Sequence, residues 1–137
     1  MTNRWLILVC FLIISGSACA ADDKQDLEKM KGTWSAEKMV AGGMELPAEF
    51  LKEMKFVIDG NKIYEKEKKE MAGTIKLDSS KTPKVMDVET SDGKKLLGIY
   101  EQDGNTLKMC FGEKDRPKEF KSEQGSETIL FVLKRAN

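Results

Sequence analysis

From Gly32 to the C-terminus, apolar residues recur at alternate positions, and turn-forming residues repeatedly interrupt them. Successive side chains of a strand point to opposite faces, so a period of two builds half-buried sheet rather than helix. Phe56 and Ile58 alternate with Lys55, Val57 and Asp59, and Gly60-Asn61 follows as a tight turn into the segment Ile63 to Lys66. Ile75 and Leu77 alternate with Thr74 and Lys76, and Met86 and Val88 with Asp87 and Glu89. Leu97 and Ile99 come next, then the turn Gln102-Asp103-Gly104-Asn105 and the alternating Leu107, Met109 and Phe111. Ile129, Phe131 and Leu133 close the series, which Thr33 to Met39 opens, giving about eight strands. Consecutive hairpins form an antiparallel meander, and closing the meander into a barrel removes its exposed edges. The expected fold is therefore all-β: an eight-stranded antiparallel up-and-down barrel.

Two segments depart from this period. Asp22 to Lys31 places Leu27 and Met30 at i, i+3, as in a short helix capped by Asp22 or Asp23 and stopped by Gly32. Leu46 to Met54 has Pro47 early and apolar residues at 50, 51 and 54, which predicts a short helix in the first long connection. Neither an internal repeat nor a linker divides the chain, so one domain is expected.

The chemistry is bounded by what is missing. There is no histidine, which excludes Ser-His-Asp and Cys-His nucleophile systems and every His-ligated metal site. Basic and acidic residues number 23 each, so bulk charge gives no argument for a nucleic-acid partner. Met109 and Cys110 are adjacent in a strand and point to opposite faces, which rules them out as a joint soft-metal site. No spacing of carboxylates singles out a general acid–base pair. Neither an enzymatic activity nor a cofactor is expected.

Residues 1–20 read as an export signal. Arg4 supplies positive charge, Trp5 to Ile14 an apolar core, and Ala18-Cys19-Ala20 a small-x-small cleavage site before Ala21. A ten-residue core spans about 15 Å as a helix, too short to cross a bilayer. A second route also fits, in which Cys19 becomes a lipid-modified first residue and tethers the protein to a membrane. Cleavage before Ala21 leaves Cys110 as the one cysteine, so no internal disulfide supports the expected domain at 21–137.

Gly32-Thr33-Trp34, entering the first strand after a short helix, resembles the Gly-x-Trp signature of lipocalins. The resemblance implies that Trp34 closes one end of the barrel and that Arg135, or Lys134, packs over its ring. A wider pattern resembles an uncharacterised lipocalin-like domain family expanded in planctomycete bacteria. It runs through Leu46-Pro47-Ala48-Glu49, Gly73-Thr74-Ile75-Lys76-Leu77-Asp78, Leu97-Gly98-Ile99-Tyr100-Glu101 and Arg116-Pro117. That resemblance implies the barrel and an exported location but assigns no activity.

Candidate binding residues follow from the alternation. The inward set comprises Trp34, Phe56, Ile58, Ile75, Leu77, Met86, Val88, Leu97, Ile99, Leu107, Met109, Phe111, Ile129, Phe131 and Leu133. It forms either the wall of an apolar ligand pocket or a filled core. Phe50, Leu51 and Met54 are placed as a lid over the open mouth, or as its permanent closure. Asp87, Asp115 and Arg116 are the polar rim groups expected to meet a ligand head group. Cys110 should face outward as an inert, partly covered thiol. Two functions compete. One is a monomeric, exported binder of a small hydrophobic ligand, touching a membrane only if lipidated. The other is a solid-core envelope or protein-interaction module.

Overall fold

In the computed structural model, which describes residues 18–67 and 70–136, the chain forms a closed eight-stranded antiparallel β-barrel with two short helices. Residues 1–17 of the expected leader lie outside the described residues. Strand β1 (Gly32–Ala41) closes the barrel by pairing with β3 (Lys55–Asp59) through residues 32–35 and with β9 (Ile129–Arg135) through residues 34–41. Between them run β4 (Lys62–Glu65), β5 (Glu70–Asp78), β6 (Lys84–Thr90), β7 (Lys95–Asp103) and β8 (Thr106–Gly112), each paired with its neighbour in sequence. The two-residue β2 (Met44–Glu45) folds back on the far end of β1. Gly60 and Gly104 turn β3 into β4 and β7 into β8 at φ of 61° and 57°. A Cβ would meet nothing within 4 Å at either place, so backbone handedness and not space calls for glycine there.

Helix α1 (Ala18–Met30) begins earlier than the pattern of Leu27 and Met30 suggests, because the alanines before Asp22 favour helix. Its acidic residues do not cap it. Asp23 instead accepts a hydrogen bond from the Ser79 backbone N–H at 2.7 Å, fixing the helix to the barrel. Helix α2 (Ala48–Leu51) follows Pro47 as expected and buries Leu51 in the core.

The register of β7 corrects one expectation. Leu97 and Ile99 lie on the outer face, while Leu96, Gly98 and Tyr100 face inward, opposite Val88, Phe111 and Met109. Gly98 sets this register. A Cβ there would stand 2.4 Å from the Phe111 ring, so the aromatic side chain fills the space that glycine leaves. Ile99 is nonetheless buried, in a second apolar cluster with Cys110 and Leu130 on the outside of the wall, against which Val40 and Phe120 pack.

Candidate functional site

The end of the barrel beside α1 is shut by interlocking contacts. The Trp34 indole N–H donates to the Met30 carbonyl at 2.7 Å, and the Arg135 guanidinium lies 4.4 Å from the indole ring. The same guanidinium donates to the carbonyls of Lys31 (2.8 Å) and Lys29 (2.5 Å), satisfying groups that the end of a helix leaves unpaired. Gly32 links these parts. Its φ is 132°, and a Cβ would stand 2.9 Å from Arg135 Nη1. Arg135, and not Lys134, takes the position over the ring.

Asp26 bolts the other side of α1 to the wall. It accepts from the Tyr100 hydroxyl at 2.6 Å and from Lys84 Nζ at 3.1 Å. Partial burial pushes the Asp26 carboxyl up, but these two donors outweigh it and hold the group below its usual range. Burial, and then the neighbouring Asp26, push the Tyr100 phenol far up. The interior behind this plug is solid: Met30, Trp34, Ile58, Leu107 and Leu133 have no exposed surface.

The opposite half of the interior is not filled. A cavity of about 140 Å³ lies there, walled by residues near the strand ends remote from α1. Phe56, Phe111 and Phe131 form an aromatic side, with edge-to-face ring pairs at 6.3 Å and 6.2 Å. Ile75, Met86, Val88 and Met109 form the aliphatic side, and Ile63, Ala72, Leu96 and Thr90 complete the lining. Thr90 is the one lining residue with a polar side chain. Its hydroxyl is engaged in the β6–β7 turn, donating to Asp92 and accepting from the Lys94 backbone N–H at 3.1 Å. The cavity therefore presents hydrocarbon, sulfur and ring faces.

Seven of the expected wall residues do line it: Phe56, Ile75, Met86, Val88, Met109, Phe111 and Phe131. Trp34, Ile58 and Leu107 belong to the packed half, and Leu97 and Ile99 to the outer wall. Ile63, Ala72, Thr90 and Leu96 escaped the sequence reading. Two were detectable by pairing, since Ile63 lies opposite Ile58 and Leu96 opposite Val88.

The expected lid divides. Leu51 is part of the core, and the Met54 carbonyl accepts from the Ala36 N–H at 3.0 Å, so this part is a fixed closure. Phe50 stands 60% exposed beside a groove that it shares with Met54 and Phe56.

The expected polar rim is not at the mouth. Asp87 lies opposite Lys76 and Leu97 on the outer face of the wall. There Arg116 grips it with two hydrogen bonds, at 2.5 Å and 3.2 Å, and donates to the Gly98 carbonyl at 2.7 Å. Asp115 is exposed in the adjoining loop. Cys110 faces outward as expected but is fully buried. Its thiol lies 3.3 Å from the Lys121 carbonyl, and burial pushes its pKa up.

The chain matches no protein-family model, no curated protein and no solved structure.

Proposed function

We propose that the protein is an exported binder of a small, uncharged apolar molecule, held in the unfilled half of the barrel. The carrying observation is the apolar cavity of about 140 Å³ whose one polar neighbour, Thr90, is already hydrogen-bonded elsewhere. An apolar cavity of that order stays dry and takes up benzene-sized guests. The fitting occupant is a single ring, a short branched hydrocarbon, or the apolar tip of a longer molecule. A charged group would lose its hydration there without a partner. The residues of the leader support export.

The volume also favours a second reading. Pockets for drug-sized ligands run to about 300–1,000 Å³, so a small void is compatible with a structural module that carries nothing. Native mass spectrometry of protein recovered from an exporting host separates the two. Retained mass that leaves on denaturation supports the binder and gives the size of its ligand. A further test titrates benzene and p-xylene while following the methyl resonances of Met86, Met109 and Val88. The binder predicts saturable shifts in those methyls, a raised melting temperature, and loss of both in Ala72→Leu with its fold intact. A clean apo mass together with unmoved methyls would leave the structural module.

A further inference from the structure

We propose a second binding site, separate from the interior cavity, on the outer wall: a cleft for a small organic anion with a flat apolar body. The register of β5, β6 and β7 sets Lys76, Val85, Asp87 and Ile99 on one outward face. The β5–β6 connection raises Lys81 and Pro83 on one side, and the chain after β8 returns with Arg116, Pro117 and Lys118 on the other. The space between them is about 750 Å³, within the range of small-molecule sites.

The charges in this cleft are not balanced. Four basic side chains, Lys76, Lys81, Arg116 and Lys118, line it, against the two carboxylates Asp78 and Asp87. Arg116 neutralises Asp87, whereas Asp78 keeps its charge, with Lys81 among the cations acting on it. The cleft therefore retains an excess of two positive charges, four basic groups against two carboxylates. Asp87 is held by Arg116 in a two-pronged pair, and Asp78 accepts from the Ser80 N–H at 3.1 Å and from its hydroxyl at 2.5 Å. Lys76, Lys81 and Lys118 form no ion pair among the described residues. The chain carries no net charge, so this excess is local. Lysine is a mobile point charge suited to phosphate or carboxylate, and its stem can lie along apolar surface while the ammonium meets the anion.

The apolar component is equally specific. Pro83, Val85 and Pro117 supply apolar walls without free donors, above an almost wholly covered Ile99. Arg116 keeps the returning chain over the sheet through its bonds to Asp87 and to the Gly98 carbonyl, so one side of the cleft is built rather than incidental. A hydrocarbon face bordered by unpaired ammonium groups selects an amphiphilic anion: an aryl or alkyl carboxylate, or a phosphate monoester.

The test is a ¹⁵N-resolved NMR titration of the whole exported protein with 1-naphthyl phosphate and 2-naphthoate. Inorganic phosphate supplies charge alone, and 1-naphthalenemethanol supplies the ring alone. Binding on the order of 10⁻⁴–10⁻³ M is expected for both naphthyl anions, with shifts centred on Val85, Asp87, Ile99 and Arg116. The tighter of the two identifies the preferred head group. Lys81→Glu combined with Lys118→Glu, both exposed positions, should weaken binding at least about tenfold without lowering the melting temperature. The proposal is overturned by inorganic phosphate or the neutral alcohol binding as tightly as the anions. Shifts confined to the interior, or unchanged affinity in the charge-reversed variant, overturn it as well. The interior cavity is read separately, by the Met86 and Met109 methyls, so failure at the outer cleft leaves the interior reading to its own test.

Discussion

The two halves of the barrel interior are built from the same alternating strands, yet one is packed and the other hollow. Beside α1, Trp34, Met30, Ile58, Leu107 and Leu133 are wholly buried and the helix is tied down by Arg135, Asp23 and Asp26. At the other end, three phenylalanines and two methionines help to line a cavity of about 140 Å³. The difference lies in what covers each end. Residues 23–31, in and just after α1, bring both apolar side chains and carbonyl groups to the first. Helix α2 buries Leu51, and Leu46 and Met54 pack against the same core, but none of the three lines the cavity.

The largest effect that would break this contrast is at the plug. Trp34→Ala removes the centre of the packed half, the indole bond to Met30 and the face beneath Arg135. A loss of about 3–5 kcal/mol is expected in urea unfolding, close to the total stability of many small domains. A loss under about 1 kcal/mol would show that the α1 end is no more tightly packed than the other.

The next effect is electrostatic. Asp26 is held below its ordinary value of 3.8, so its contribution is complete above that value and is lost as the pH falls below it. Tyr100 is shifted the other way. Its contribution is complete below the ordinary phenol value of 10.0 and is lost as the pH rises beyond it. Asp26→Asn should cost about 1.5–2 kcal/mol at neutral pH and flatten the acid limb of the stability curve. Tyr100→Phe should flatten the alkaline limb. Denaturant midpoints measured from pH 2 to 11 on the three proteins check both signs.

The sequence made one half of this comparison far more legible than the other. Turn chemistry at Gly60-Asn61 and Gly104-Asn105, and the alternation of apolar with polar residues through much of β5, β6 and β8, were enough to write down the barrel, while β9 is apolar on both faces from Ile129 to Leu133. The plug was foreseeable only through the resemblance of Gly32-Thr33-Trp34 to the lipocalin signature, which implied Trp34 at one end with Arg135 or Lys134 over its ring. Strand β7 was not, since Leu96-Leu97-Gly98-Ile99-Tyr100 is apolar on both faces and a period of two cannot choose between them. The choice is made across the sheet, by the fit of Phe111 over Gly98, and the outer face is then dried by Phe120. The same covering chain draws Arg116 onto Asp87, which removes both from the mouth. The cavity itself has no sequence signature. It is the volume left after eight strands and two helices have packed, and no single residue encodes it.

The smallest effect is the sharpest test of the contrast, because it uses one substitution in two places. Ala36 faces Leu133 in the packed half and is 8% exposed, whereas Ala72 borders the cavity. Enlarging a side chain in a full core forces neighbours off their rotamers, so Ala36→Leu should cost about 1–3 kcal/mol. Ala72→Leu adds the same atoms where space exists, and the apolar area it buries offsets the strain. Its stability should stay within about 1 kcal/mol of the parent, with the larger value on the stabilised side. Equal costs at the two positions would mean that the hollow half closes in solution, leaving no volume for a guest. A neutral or stabilised Ala72→Leu beside a clearly weakened Ala36→Leu would establish the vacancy independently of any ligand.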